Sequence, residues 1–486
     1  MSWVFLTDRE AWKVKRPVDY GFADYSTPER RRHFCHEEVR LGRRLAPDVY
    51  LGVEPVRQDA KGHSFTRPGE MVEYAVRMKR LPDKATAAAR LEAGRLSSQD
   101  LERMAERLAR FYASAAIDPQ FDFPGTLRRN LTENFEQVEP FIGRVLGRDL
   151  FEEVRAWQEG FLVRSVDGIR SRGRDGCVRE GHGDLRLEHV YFLDGEPLVI
   201  DPIEFNARFR FGDVALDACF LAMELAAKGA VPLAEGFMGR FALASNDYGF
   251  YPLLDFYLSY RAWVRAKVAC FVAADPRTPP QKRRRKREEA ARLLDLARSF
   301  TSGLHRRPPR LVVIGGEIGS GKSTLARALG ARWGLPVVSS DATRKFLAGL
   351  QPTERGAKKI YTSDFSRRAY RELFRRAGDV LLSDRGVILD ARFPTRARRF
   401  EARALAEKVG IPFLFIETCC DESVLRRRLR ARTEGPSVSD AGEELLGLFR
   451  STFEAVDELG AAEHVRVDST LPIEVMIREI EDRADP

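Results

Sequence analysis

Gly316-Glu-Ile-Gly-Ser-Gly321-Lys322-Ser323-Thr324 follows the apolar run Leu311-Val-Val-Ile314 and leads into the helical pattern Thr324-Leu-Ala-Arg-Ala-Leu329. The spacing is G-x-x-x-x-G-K-[ST], between a strand and a helix. A strand that ends on glycines and turns into a helix aims backbone N–H groups and the positive helix end at phosphate oxygens. Gly316, Glu317, Ile318, Gly319, Ser320, Gly321, Lys322, Ser323 and Thr324 are therefore expected to cradle ATP. Lys322 would reach the β/γ-phosphates, and the Ser323 hydroxyl would ligate Mg²⁺. The bland alternative is an ordinary glycine turn.

Working outward from this loop, strand signals alternate with helical patterns. They are Leu311 to Ile314, Leu335-Pro-Val-Val338, Gly386-Val-Ile-Leu-Asp390, Pro412-Phe-Leu-Phe-Ile416 and Glu463-His-Val-Arg-Val-Asp468. Apolar strands separated by helices predict an α/β P-loop NTPase domain with a mostly parallel sheet. Two proline-rich breaks, Asp275-Pro-Arg-Thr-Pro-Pro280 and Arg306-Arg-Pro-Pro-Arg310, flank a charged helical pattern. The expected joint lies near residue 305, giving domains 1–305 and 306–486. The basic run Lys282-Arg-Arg-Arg-Lys-Arg287 has no interleaved aromatic residues, so it reads as a solvated helix start in preference to a nucleic-acid patch.

Upstream, strand-like pieces come early and helices later. Ala11-Trp-Lys-Val-Lys15, Val49 to Val53, Val56 to Asp59 and Met71 to Met78 suggest an antiparallel sheet interrupted by a helix from Pro28 to Leu45. Helical patterns run from Ser97 to about Gly173 and from Ala215 to Phe271, with a hairpin turned by Asp194-Gly195 between them. This order predicts an α+β protein-kinase-like bilobal domain, with a small lobe of about 1–80 and a helical lobe of about 81–305.

Length and composition are consistent with this reading. A chain of 486 residues has room for about two to four domains. The start of the chain carries no signal-peptide pattern and no apolar run is long enough to span a bilayer, so a cytoplasmic location and no membrane partner are expected. Six scattered cysteines, with no C-x-x-C pair, suggest neither a disulfide framework nor a zinc site. A net charge of +9 suits anionic ligands such as nucleotides without establishing nucleic-acid binding.

A second constellation lies in Gly181-His182-Gly183-Asp184 through His189, followed by Val199-Ile-Asp201-Pro-Ile-Glu204. The two carboxylates, Asp184 and Asp201, flank the predicted hairpin as a base and a metal ligand would. The plainer alternative is a solvated turn pair. His-Gly-Asp followed by strand-Asp is similar to the catalytic loop and metal-binding aspartate of aminoglycoside and choline phosphotransferases. That resemblance implies that Asp184 accepts the proton of an attacking hydroxyl and that Asp201 holds Mg²⁺.

The chain departs from the family pattern at His189, where those kinases carry an Asn metal ligand. Three roles are open to His189: a metal ligand of different geometry, a cation on phosphate, or a buried structural histidine. In the small lobe, Lys13 and Lys15 share a strand face. Either suits the phosphate-pairing lysine, with Glu37 or Glu38 as ion-pair partner. Lys15 with Glu38 is the pair chosen, and Met78 is the expected hinge beside adenine. Asp213 and Asp217 of Gly212-Asp213-Val-Ala-Leu-Asp217 are expected to buttress the catalytic loop. Arg208 and Arg210, with no acidic cluster nearby, favour a neutral or anionic acceptor over a polycation.

In the P-loop half, Asp341 follows the second strand at the sheet end where ligands bind. It is a candidate general base, with Arg344 to hold an anionic group; helix capping by Ser340 or Asp341 is the alternative. Asp390 ends another strand as a Walker B-like metal ligand, and Arg392 is a second substrate candidate. Arg426 and Arg430, in the run Leu425 to Arg432, suit an ATP-clamping lid, or else a solvated helix. These features resemble small P-loop kinases such as gluconate kinase and the kinase half of polynucleotide kinase, and zeta-type toxins share the core.

Together the halves resemble the bifunctional aminoglycoside phosphotransferase/ATP-binding protein family. The resemblance implies a phosphotransferase with two ATP and Mg²⁺ sites and a small-molecule hydroxyl acceptor, with nucleic acid as a disfavoured partner. Two alternatives stay open. One is an N-terminal pseudokinase that regulates the P-loop enzyme. The other is a C-terminal nucleic-acid end kinase or nucleotide-sugar kinase.

Overall fold

The computed structural model describes residues 1–350, 354, 358–433 and 451–484. The chain divides into two compact units, 1–229 with 256–301 and 230–255 with 302–486. The segment 230–255, which the sequence places in the first domain, therefore groups with the P-loop half.

The first unit opens with a five-stranded antiparallel sheet in the order β1, β2, β5, β3, β4. Its strands are β1 (Ser2–Leu6), β2 (Glu10–Lys15), β3 (Tyr50–Asp59), β4 (Gly62–Ser64) and β5 (Glu70–Lys79). The two pieces expected at 49–59 form one strand, whose pairing with β5 shifts register at two places. Helix Pro28–Gly42 starts at Thr27, whose hydroxyl accepts from the Arg30 amide, with Pro28 in the first turn. Its residues Cys35 and Val39 pack on Tyr50, Val76 and Met78 in one apolar cluster. Alternation along β2 sends Trp12 and Val14 to a separate cluster with Val56 and Ala75, and Lys13 and Lys15 to the opposite face.

Beyond the sheet, helices Ser98–Ser114, Phe123–Val138, Arg148–Arg174 and Val214–Ala227 carry two small antiparallel pairs. One joins β6 (Val178–Glu180) to β9 (Phe211–Asp213). The other is the predicted hairpin of β7 (Val190–Leu193) and β8 (Glu196–Val199), with Asp194 and Gly195 both at positive φ. The basic run near 284 lies on helix Pro280–Ser302, where Arg284 pairs with Glu288 and Lys286 with Glu289, as a solvated face does.

The second unit is a five-stranded sheet in the order β11, β12, β10, β13, β14, all of whose pairings are parallel. Its strands are β10 (Leu311–Gly316), β11 (Val337–Ser339), β12 (Val387–Asp390), β13 (Phe413–Cys419) and β14 (His464–Asp468). Every residue of β10 is buried, the condition of a central parallel strand. The chain leaves β10 for β11 and β12 on one side and returns to β13 on the other. This topological switch opens a crevice at the end of β10.

Helix Val231–Ser245 belongs to this unit. Glu235 makes two bonds, at 2.8 and 2.9 Å, to the buried Arg385 guanidinium, and Asp255 a third at 2.7 Å. The Tyr248 hydroxyl donates to the Val337 carbonyl of β11 at 2.6 Å.

Candidate active sites

The phosphate-binding loop sits in the crevice at the end of β10. Gly316 has φ +134°, and a Cβ there would come within 2.5 Å of the Thr418 carbonyl, so only glycine fits. The Thr418 hydroxyl donates to Gly315 O at 3.1 Å and lies 2.6 Å from Ser320 Oγ, tying the loop to β13. Helix Lys322–Trp333 begins directly at the motif lysine. Lys322 Nζ donates to the Glu317 carbonyl at 2.6 Å, folding back over its own loop.

A pocket of about 460 Å³ opens beside this loop, and Lys322, Ser323, Asp341 and Asp390 all line it. Asp390 is buried at the end of β12. Burial pushes its pKa up to about 6, against the opposing pull of the Ser323 hydroxyl and Lys322. A buried carboxylate beside a hydroxyl is a hard-oxygen donor pair of the kind Mg²⁺ takes, so Ser323 and Asp390 fit the ion. Asp341 stands in the first turn of helix Ser340–Leu347. The N-cap of that helix is Ser339, which makes no side-chain cap bond, so neither Ser340 nor Asp341 occupies the cap position, and Asp341 is the acidic residue of the first turn.

Arg344 and Arg392 line the same pocket, as do Arg367 and Arg398. The latter two were not singled out from sequence. Arg426 and Arg430 lie on the exposed side of helix Glu422–Thr433, where Arg426 bonds Glu422 at 2.7 Å. The arginine of this helix that reaches the loop is Arg428, through Gly319 O at 3.4 Å, and it also donates to Ser469 Oγ at 3.0 Å and Ser469 O at 2.6 Å. Leu425 and Leu429 pack on Ile318, and Arg428 is half-buried whereas Arg426 and Arg430 are exposed; helix phase alone does not separate Arg426 from Arg428, which flank that apolar face at equal angles.

In the first unit, His182, Asp184, His189 and Asp201 come together. Gly183 has φ +86°, and a Cβ there would crowd Phe209 O and Ile203. The backbone amides of His182 and Gly183 donate to the Asp217 carboxylate at 2.6 and 2.9 Å, and the Tyr112 hydroxyl donates at 2.9 Å. Asp213 accepts from Arg172, from Tyr257 and from the Ala215 amide. Both aspartates hold backbone and helix ends in place. His182 Nε2 donates to Ile200 O at 3.0 Å, while its Nδ1 accepts from the Asp184 amide at 3.3 Å.

His189 stands between the two carboxylates, Nδ1 3.6 Å from Asp184 Oδ2 and Nε2 3.6 Å from Asp201 Oδ2. Asp201 sits at positive φ, with its amide donating to the Tyr50 hydroxyl at 2.8 Å. Burial pushes the Asp201 carboxyl up, but Lys13 and His189 outweigh it and hold the group well below the usual carboxylate range.

Both β2 lysines converge on Glu38, Lys13 at 2.9 Å and Lys15 at 2.8 Å. Lys13 also pairs directly with Asp201, and Lys15 with Glu204. Lys15 is only 1 % exposed, so Lys13 is the lysine that reaches Asp201, whereas the sequence favours Lys15. A strand face shared by two lysines does not tell which is deeper. Met78 is buried in the apolar cluster of the small lobe. Arg208 is engaged by Glu133 and Arg210 by Glu180, so neither stands as an uncompensated charge for an acceptor.

A family model described as an AAA domain matches residues 311–456. "Uncharacterized protein Rv2004c" of Mycobacterium tuberculosis is 32 % identical over 448 residues, which cover 90 % of this chain and 86 % of that protein. The chain belongs to the Rv2004c family. Its build, an antiparallel-sheet and helix unit followed by a parallel-sheet unit that carries the phosphate-binding loop, matches the order expected of the bifunctional family the sequence resembles. Among solved structures, a gluconokinase from Sinorhizobium meliloti is 27 % identical, covering 36 % of this chain and 90 % of its own, with a TM-score of 0.27. The GDP and kanamycin complex of APH(2″)-IIia is 13 % identical, covering 61 % of this chain and 90 % of its own, with a TM-score of 0.38. Among the described residues of this Rv2004c relative, no helix is long and apolar enough to cross a membrane.

Proposed function

We propose that the chain is an ATP-dependent phosphotransferase whose P-loop unit passes the γ-phosphoryl group to a hydroxyl of a small molecule. The observation that carries this reading is the one pocket lined by Lys322, Ser323, Asp341 and Asp390 at the switch point of a parallel sheet. The loop amides and Lys322 bind the β/γ-phosphates, Arg428 orients the nucleotide end of the loop, and Asp341 takes the acceptor proton. Mg²⁺, held by Ser323 and Asp390, supplies neutralising charge on the phosphates when bound. Transfer of labelled phosphate from ATP, compared between the native chain, Lys322→Ala and Asp341→Asn, tests this. Undiminished transfer by either variant overturns it.

For the first unit the fuller reading is a second nucleotide site with Asp184 as base. A specific observation favours a ligand-binding module that regulates the P-loop unit: Lys13 occupies Asp201, and an imidazole stands between the carboxylates. As arranged, these residues do not offer Mg²⁺ a set of hard oxygen donors, and no step is derived through a metal there. Calorimetry with a non-hydrolysable ATP analogue separates the readings. Two sites per chain, one of them surviving Lys322→Ala, support the second nucleotide site, and one site lost with Lys322 supports the module.

A further inference from the structure

The pocket beside the phosphate-binding loop carries an excess of cationic groups, with Lys322, Arg344, Arg367, Arg392 and Arg398 against Asp341 and Asp390. Two of the arginines have local carboxylate partners, Arg367 with Asp364 and Arg398 with Glu401. Arg344 is different. It is 8 % exposed. Its Nη1 donates to Ile360 O at 2.6 Å and Ser366 Oγ at 3.1 Å, and its guanidinium lies over the Tyr361 ring, 5.0 Å from the centroid. Its Nε is buried with no hydrogen-bond partner.

Other deeply buried guanidinium groups in this chain come with a carboxylate: Arg385 with Glu235 and Asp255, Arg376 with Glu372, Arg399 with Glu458, Arg172 with Asp213. Arg344 has neutral partners among the described residues. A buried charge among neutral groups is costly until an anion meets it, and the protein holds this one rigidly at the wall of a ligand pocket. Arg344 lies one helical turn beyond Asp341 on the same helix, so an anion on one and a reacting hydroxyl near the other belong to one small molecule.

We infer that the acceptor is an oxyanion-bearing hydroxyl compound, a hydroxy acid or a phosphate monoester, whose anionic group pairs with Arg344 and thereby sets a hydroxyl beside Asp341. This rests on reading the site as a P-loop kinase. In the step it prepares, the hydroxyl oxygen bonds to the γ-phosphorus and the bond from that phosphorus to the β,γ-bridging oxygen breaks. ADP leaves with the electron pair, and the hydroxyl proton passes to Asp341. Arg392 and Arg398 line the same pocket and add to its positive field.

The test uses the full chain saturated with Mg²⁺ and AMPPNP, so that the γ-phosphate position is filled before any probe is added. Inorganic phosphate, glycerate, glycerol 3-phosphate and glycerol are then titrated calorimetrically. The three anions are expected to bind and glycerol not. Arg344→Met should weaken the anions at least tenfold and Arg344→Lys by less, with AMPPNP affinity within twofold of the native value in both as the check on folding. Anions that bind no better than glycerol, or bind Arg344→Met as they bind the native chain, overturn the inference.

A transfer screen with labelled ATP across neutral sugars, sugar acids and sugar phosphates completes it. Acceptance confined to acids or to phosphate esters identifies the anion, and a neutral sugar with the highest kcat/KM overturns the anion role while leaving the kinase reading intact. Anion binding with no transfer to any acceptor overturns the kinase reading, and the acceptor role with it.

Discussion

Lys13 and Asp201, 188 positions apart in sequence, form a direct ion pair between β2 of the small lobe and the segment that follows the β7–β8 hairpin. The pair joins the two parts of the first unit at the place where a phosphotransferase needs a free aspartate. Removing the ammonium should release the carboxylate upward: in Lys13→Met the Asp201 pKa is expected to rise toward the ordinary carboxylate range. Carbon-detected NMR titration of labelled aspartate reads this directly. An unchanged titration would mean that His189 and Lys15 alone hold the group down.

The loop carrying Asp184 depends on a different carboxylate. Asp217 accepts two backbone amides and the Tyr112 hydroxyl from a buried position. Asp217→Ala leaves three buried donors without an acceptor, a loss of about 2–4 kcal/mol. Urea unfolding followed by tryptophan fluorescence measures it; a change under about 0.5 kcal/mol would contradict the buttress role.

Acid should weaken the second unit through Asp255. Burial opposes ionisation there, but Arg385 outweighs it and holds the carboxyl well below its ordinary range. A depressed folded-state pKa means that this contribution is complete above the unfolded value of about 3.9 and is lost as pH falls toward the folded value. The melting temperature should therefore drop on acidification below about pH 4, and Asp255→Asn should flatten that limb while lowering stability at neutral pH. A variant whose acid limb matches the native one would refute the assignment.

Asp390 is shifted the other way, and loss of its charge on acidification sets in at higher pH. With its pKa near 6 in the nucleotide-free protein, Mg²⁺ must compete with a proton, so Mg²⁺-dependent ATP binding should weaken as pH falls through that value, approaching about tenfold per unit below it. Asp390→Asn should bind weakly at all pH values with no such slope. Calorimetric titrations between pH 5 and 8, in roughly half-unit steps, decide the matter.

Arg428→Met should raise the KM for ATP about tenfold with a smaller effect on kcat, because it removes a group that braces the loop without touching the acceptor side. Steady-state kinetics at saturating acceptor measure both, and an effect on kcat alone would show that Arg428 serves the transferring phosphoryl group instead.

What could be read from sequence was local. The glycine spacing at 316–321, the apolar runs of β10 to β14 and the Asp194-Gly195 turn each encode their own geometry within a few residues. Asp184 and Asp201 were legible because a short hairpin brings its two ends together. Depth was not legible: Lys13 and Lys15 have the same strand phase, and only the packing of Glu204 against one of them distinguishes the roles. The choice between Arg426 and Arg428 was not legible either, because the two flank the Leu425/Leu429 face at equal angles and only tertiary packing against Gly319 and Ser469 separates them. The neutral surroundings of Arg344 are a property of tertiary placement, invisible in any pattern of residue types.

The grouping of residues 230–255 with the P-loop unit bears on how the two halves can be obtained separately. A fragment starting at residue 306 would contain Arg385 but neither Glu235 nor Asp255, leaving a guanidinium that is 4 % exposed without its carboxylates. It would also lack the Tyr248 hydroxyl that reaches the carbonyl of β11. A single cleavage point cannot divide this polypeptide into two self-sufficient pieces, because the chain enters the second unit, leaves it and enters it again. Gene-splitting, circular permutation or domain grafting must carry the 230–255 insert along with the P-loop half to yield a folded product.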